Sequence, residues 1–322
     1  MISVVAPVHN EAETLTELHR RIREAVAEFE TCEIVLVDDG STDGSWATML
    51  ALAATDPHLR LLRLSRNFGH QAALTAGLDA ARGDAVVLMD ADLQDPPEMI
   101  PVLVAKWREG YDVVYGLRTE REGETRYKRW TAAIFYRLLR GMTHVDIPAD
   151  AGDFRLLSRR AVEALALMPE RARFLRGMTS WVGFRQASVP YRRDARYAGE
   201  TKYPTRRMVR FAVDAITSFS TTPIRVVTGV GLIVVVFCVG VLAWAIYVKF
   251  LTDTAVAGWT SVLIVVLLLG GMQLVGIGVI GQYIARIFEE AKQRPLYLVE
   301  ESVEGIAPTE TGEPTTSATP LP

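Results

Sequence analysis

Two carboxylates one residue apart close an apolar run: Ala85-Val86-Val87-Leu88-Met89 leads directly into Asp90-Ala91-Asp92-Leu93-Gln94-Asp95. Anions that close together at the end of a buried strand are costly unless a cation sits between them. A hard divalent ion bridging a diphosphate meets that need, because Mg²⁺ takes one or two carboxylates and fills its shell with water and phosphate oxygens. The run therefore points toward chemistry on a nucleotide sugar.

Such residues act only where a scaffold brings them together. Over the first 120 residues, Ile2-Ser3-Val4-Val5-Ala6, Ile34-Val35-Leu36-Val37, Leu61-Leu62-Arg63-Leu64, Ala85 to Met89 and Val113-Val114-Tyr115 read as strands. Amphipathic patterns near 13–29, 44–54, 69–81 and 97–109 read as the helices between them. That alternation predicts an α/β domain with a mainly parallel sheet covered on both faces. Functional residues then gather at the carboxyl ends of the strands. Three clusters fall there: Pro7-Val8-His9-Asn10-Glu11, Asp38-Asp39-Gly40-Ser41-Thr42-Asp43-Gly44-Ser45, and Asp90 to Gln94. Each also has an ordinary structural account. Asp39-Gly40 is a common turn pair, Ser41, Thr42 or Asp43 can cap the next helix, and Asp95-Pro96-Pro97-Glu98 reads as a cap followed by proline at a helix start. Convergence of all three at one sheet edge favours function.

Hydrophobic residues make up 49% of the 322, and the excess is local. No charge occurs from Val226 to Val248 or from Thr254 to Ala285. Each stretch reaches the roughly 20 residues needed to cross about 30 Å of hydrocarbon, which predicts two transmembrane helices. Met1 to Pro7 reads as a strand and not as a signal peptide. Arg206, Arg207, Arg210 and Arg225 precede the first span, Arg286, Lys292 and Arg294 follow the second, and the loop between carries Lys249 and Asp253. The excess of positive charge places both termini in the cytoplasm and the loop on the far side. A net charge of -3 argues against nucleic-acid binding, and Cys32 and Cys238 are too differently placed for a disulfide or zinc site.

Together, Val8-His9-Asn10-Glu11, Val37 to Ser45, Asn67-Phe68-Gly69-His70-Gln71-Ala72-Ala73 and Met89 to Glu98 resemble the family 2 inverting glycosyltransferases, and within them the polyprenyl-phosphate branch. Gly152-Asp153-Phe154-Arg155-Leu156-Leu157 and Gly199-Glu200-Thr201-Lys202-Tyr203 fit the same branch, and the likeness runs from Ile2 to about Pro295. His9 stands where that family usually has tyrosine; imidazole can also stack on a base.

The resemblance implies a Rossmann-like, GT-A type nucleotide-sugar domain over residues 1–203, in the cytoplasm. It makes Pro7, His9, Glu11, Val37 and Asp39 the nucleoside pocket, sets Asp90 and Ala91 against ribose and diphosphate, and gives Asp90, Asp92 and Gln94 a metal. Carboxylate and amide oxygens are hard ligands suited to Mg²⁺ or Mn²⁺. Arg118, Arg196 and Lys202 stand out of a basic set that also holds Arg121, Arg126, Lys128, Arg129, Arg155, Arg192 and Arg193; the resemblance has these three neutralise donor diphosphate or acceptor phosphate. Asp153 is a catalytic candidate as acceptor orienter, sugar-hydroxyl ligand or formal base.

The implied reaction moves a hexose from a nucleotide sugar, UDP-glucose first and GDP-mannose or another donor as the alternative, to polyprenyl phosphate on the inner leaflet of the cytoplasmic membrane. A separate flippase must then carry the product across. Residues 204–223 are expected as an interfacial amphipathic helix, 224–286 as the two spans (about 226–248 and 259–285), and 295–322 as a disordered cytoplasmic tail. Gly270, Gly271, Gly276, Gly278 and Gly281 allow close helix contact; with the resemblance they point to a homo-oligomer, a tetramer being one form. A processive polysaccharide synthase needs more spans and a Gln-x-x-Arg-Trp signature, both absent here. A non-catalytic membrane scaffold has no reason to keep Asp39, Asp90, Asp92 and Gln94 together.

Overall fold

The computed structural model describes residues 1–118, 151–171, 173–192, 222–251 and 259–305. They fall into two compact units: residues up to 192 together with those from Arg294 on, and the helical residues between Thr222 and Gln293.

The first unit follows the expected alternation. β1 (Ile2–Val8), α1 (Leu15–Val26), β2 (Cys32–Asp38), α2 (Ser45–Ala53), β3 (Leu59–Leu64), α3 (His70–Ala80), β4 (Ala85–Leu88), α4 (Ile100–Arg108) and β5 (Val113–Arg118) come in that order. β1 and β4 are buried along their whole length, and β2 is buried from its second residue, so these strands read as continuous apolar runs. α1 shows the helical counterpart: Leu15, Leu18, Ile22 and Val26 recur every three or four residues and are all buried.

After β5 the described chain resumes with β6 (Ala151–Ser158), α5 (Arg159–Ala166), α6 (Leu175–Trp181) and β7 (Gln186–Tyr191). The sheet has eight strands in the order β7-β5-β6-β4-β1-β2-β3-β8. Pairs β1–β2, β1–β4, β2–β3 and β5–β7 are parallel. β6 inserts antiparallel between β4 and β5, which carries Asp153 to the same end of the sheet as Asp90.

The last strand corrects an expectation. Of residues 295–322, expected as a disordered tail, those from 306 on lie outside the described residues, whereas β8 (Val299–Glu304) pairs antiparallel with the edge of β3. Glu304 reaches Arg82 at 2.9 Å and Arg60 at 3.5 Å, Ser65 N–H donates to Leu298 O, and Val303 packs on the core. A chain ending at Leu298 is expected to lose roughly 1–3 kcal/mol, a few cross-strand pairs at a few tenths to 1 kcal/mol each, and to self-associate through the bare β3 edge. Melting and size-exclusion profiles check this; an unchanged midpoint would make β8 an idle addition.

The second unit consists of α7 (Thr222–Leu251) and α8 (Trp259–Ala291), of 30 and 33 residues. At 1.5 Å per residue both are longer than a bilayer's hydrocarbon is thick. Val236, Phe237, Leu274 and Ile277 are each about two-thirds exposed or more. Among the described residues, one stretch, Leu269–Ala291, is long and apolar enough to cross a membrane, and Val226–Val241 is a shorter apolar run. Two helices thus stand where two spans were expected, and one of them meets the criterion for a span. Gly276 faces α7, with Val227 in contact range, whereas a methyl group on Gly270, Gly271, Gly278 or Gly281 would meet no described atom. Of the expected interfacial helix at 204–223, residues 204–221 lie outside the described residues and Thr222 and Pro223 open α7; Arg196, Lys202, Arg193, Arg121, Arg126, Lys128 and Arg129 also lie outside them.

Candidate active site

The carboxyl ends of β1 and β2 interlock through their loops. Asn10 N–H donates to Ser41 Oγ and Asn10 Oδ1 accepts from Thr42 N–H, with Asn10 itself in the left-handed region at φ 58°. Asp38 is fully buried; its Oδ1 accepts from Ser41 N–H, and Arg63 lies 3.7 Å from its Oδ2. Asp39 turns toward the loop that follows β3. Its carboxylate accepts from Phe68 N–H at 2.7 Å and Gly69 N–H at 3.0 Å, and burial raises its pKa against the pull of those amides. Gly40 at φ 64° lets that loop close over the turn, since a Cβ there would sit 2.5 Å from Asn67 N.

Of the five expected nucleoside residues, His9 remains exposed, its Nδ1 3.0 Å from Asp39 O and its ring beside the exposed Asn67. Glu11 is half-buried. The Pro7 and Val37 side chains are buried, and Val37 packs under α3. Asp39 is 3% exposed and engaged with backbone amides.

The acidic run leaves β4 through a tight turn in which Leu93, buried, takes φ 59°. Asp92 Oδ1 accepts from Gln94 N–H at 3.1 Å, and Ala91 is buried. Asp90 Oδ1 is buried with no hydrogen-bond partner among the described residues; His70 Nε2 lies 3.4 Å away. Burial pushes Asp90 up to about 6; His70 opposes that rise, while Asp95, Asp153 and Asp92 add to it. Keeping Asp90 ionised at neutral pH therefore costs on the order of 3 kcal/mol at 1.36 kcal/mol per unit. A divalent cation removes that cost, so the donor set fits one. No three His, Cys, Asp or Glu side chains among the described residues form a metal-binding group.

Asp153 on β6 faces Asp90 across His70, whose Nε2 is 3.4 Å from each carboxylate. Arg176 of α6 grips Asp153 with both arms, at 2.8 and 2.9 Å. Burial alone would raise Asp153, but Arg176, the His70 and Arg176 hydrogen bonds and then Arg155 outweigh it and hold the carboxyl well below its usual range. Arg155 is buried behind it, brought down to about 10 by desolvation, and donates to Gly152 O and Thr179 Oγ1. Gln71 ties α3 to α6 by accepting from Leu175 N–H at 3.0 Å. The two carboxylates thus sit in opposite electrostatic settings. Arg118 ends β5 in contact with Tyr191 and near Asp95.

The structure accordingly brings Asp90, Asp92, Gln94 and Asp153 to one end of the sheet. Sequence reasoning gave no role to His70, Arg176 or Tyr191. His70 had a signal, since it sits inside the Asn67-Phe68-Gly69-His70-Gln71 run. Arg176 had none: it is one of several arginines between 171 and 185, and only the fold sets it against Asp153.

The chain is similar to known proteins. The profile of glycosyl transferase family 2 matches residues 3–166. The uncharacterized glycosyltransferase YkcC of Bacillus subtilis is 46% identical over 93% of each chain. The bactoprenol glucosyl transferase of Shigella phage SfII is 44% identical over 94% of this chain and 99% of its own. In structure, glucosyl-3-phosphoglycerate synthase of Mycobacterium tuberculosis, crystallised with Mn²⁺, UDP and glucosyl-3-phosphoglycerate, is 21% identical and covers 67% of this chain and 77% of its own at a TM-score of 0.47, too distant a likeness to carry weight on function. With a profile across half its length and relatives near 45% identity end to end, the chain belongs to glycosyltransferase family 2 and is a transferase enzyme.

Proposed function

We propose that this enzyme transfers a hexose, glucose from UDP-glucose, to the phosphate of a polyprenyl lipid at the cytoplasmic face of the membrane. The observation that carries the reading is the opposed pair Asp90 and Asp153 about His70: one carboxylate short of positive charge, the other saturated with it. The relative named a bactoprenol glucosyl transferase supports the sugar and the lipid. The long α7 and α8 support a membrane setting, read here as two spans with both ends of the chain in the cytoplasm. A separate flippase then moves the product across, since two helices per chain offer no evident path for it.

Asp90 and Asp92, with Gln94, would hold Mg²⁺ or Mn²⁺, which supplies positive charge to the departing nucleoside diphosphate. The chain's own groups do the rest. The exposed His9 and Asn67 receive the nucleoside over a floor set by Pro7, Val37 and Asp39. A lipid phosphate is already an anion at neutral pH, so its oxygen attacks the anomeric carbon without giving up a proton. The bond to the diphosphate breaks in the same displacement, inverting the anomeric centre. Asp153, its basicity suppressed by Arg176, is a poor proton acceptor; it orients sugar or acceptor. Arg118, Arg196 and Lys202 are assigned to phosphate charge, where arginine's planar fork grips two oxygens.

A donor screen on purified protein with undecaprenyl phosphate, following the lipid product by mass, tests the reading. UDP-glucose is expected to give one hexose per lipid. Product from GDP-mannose alone would reassign the donor, and no lipid-linked product from any nucleotide sugar would remove the acceptor.

A further inference from the structure

Arg118 closes β5 with its side chain 23% exposed, and three features of the fold hold it. Its Nε donates to Tyr191 Oη at 3.2 Å, and Tyr191 in turn donates to Oδ1 of Asp95, a fully buried carboxylate, at 2.5 Å. The same oxygen lies 4.0 Å from the guanidinium. The Tyr191 ring stands edge-on to Phe154 over Gly116, where a methyl group would come 2.6 Å from the ring. The guanidinium lies over Gly152, where a Cβ would come 2.7 Å from its Nη2. Two glycines on adjacent strands thus make room for one ring and one guanidinium.

Packing does not account for the phenol hydroxyl, because phenylalanine would fill the same place; the hydroxyl is there to join Asp95 to Arg118. A free arginine side chain samples many rotamers, and fixing it beforehand removes that entropic cost when a ligand arrives. We propose that Asp95 and Tyr191 are positioning residues that hold Arg118 ready for a phosphate group, either the diphosphate of the nucleotide sugar or the phosphate of the lipid. This rests on the phosphate-handling reading of Arg118 given above.

The test measures initial rates of the full-length protein in detergent over donor and over acceptor concentration, with melting midpoints, for Arg118→Ala, Tyr191→Phe, Gly152→Ala and the Arg118→Ala/Tyr191→Phe double variant. Tyr191→Phe and Gly152→Ala are each expected to lower kcat/KM at least tenfold while melting within a few degrees of wild type. The double variant is expected to be no worse than Arg118→Ala, an equality that a merely structural tyrosine would not produce. A raised KM for the nucleotide sugar assigns Arg118 to the donor, a raised KM for the lipid to the acceptor, and a fall in kcat alone to charge developing in the transition state. If Tyr191→Phe fails to fold for want of a partner to Asp95, Gly152→Ala decides, since its new methyl meets only the far end of a flexible side chain. An impaired Arg118→Ala beside Tyr191→Phe and Gly152→Ala within twofold of wild type overturns the proposal and leaves the phosphate reading standing. A fully active Arg118→Ala overturns both.

Discussion

Asparagine in place of Asp92 is expected to abolish sugar transfer and leave the fold at least as stable as before. Asp92 is buried, and its Oδ1 accepts from Gln94 N–H, a bond the amide oxygen of asparagine keeps. No cavity opens. What changes is charge: Asp92, Asp95 and Asp153 each push Asp90 toward its protonated form, so removing one anion relieves the cation-free protein while taking away a ligand for the divalent ion. Activity and stability then move in opposite directions, as they do where a site is built at the expense of the fold. The expected readout is a melting midpoint equal to or above that of wild type with at least a hundredfold loss of lipid-linked product, about 2.7 kcal/mol in the barrier. Mn²⁺ should raise the midpoint of wild type and not of the variant. Wild-type turnover by Asp92→Asn, or full wild-type activity in excess chelator, would remove the metal from this site.

The second large effect is at Arg176. Asp153 is 7% exposed and takes two short hydrogen bonds from that guanidinium. Alanine there strands a buried carboxylate, and breaking such a pair from one side costs about 3–5 kcal/mol. Rate should fall as well, by a hundredfold or more, because Asp153 then either takes up a proton or swings toward His70. Lysine at the same position restores the charge without the fork, so Arg176→Lys should recover more stability than rate. Denaturant unfolding and initial rates measure the two separately. Equal stability of Arg176→Ala and wild type would mean that the ion pair contributes nothing, and with it the account of Asp153 as a poor base.

How much of this was legible follows from burial. The strands β1, β2 and β4 announce themselves because both faces are covered, so nearly every position is apolar. β8 does not: Val299-Glu300-Glu301-Ser302-Val303-Glu304 has one residue, Val303, in contact with the core, and the other five face water. A sequence that polar reads as disorder unless its partner edge is known. Asp90 and Asp92 were legible because carboxylates seldom crowd the end of an apolar run without cause. Asp153 was named from its motif but not its place beside Asp90, and Arg176 was not named at all, since nothing in the spacing of β6 says that it slips antiparallel between β4 and β5. His9 and Val37 could both be placed from their motifs, but only the fold shows one side chain exposed and the other buried.

The return of the chain to the sheet at β8 bears on how the protein is made. β3 leaves the ribosome early, but the strand that covers its edge follows some 240 residues later, beyond both long apolar helices. At roughly 5–20 residues per second the β3 edge stays bare for about 10–50 s of synthesis, and the catalytic unit is completed only after the apolar segments have emerged. Any product that stops short of residue 304 carries that open edge permanently.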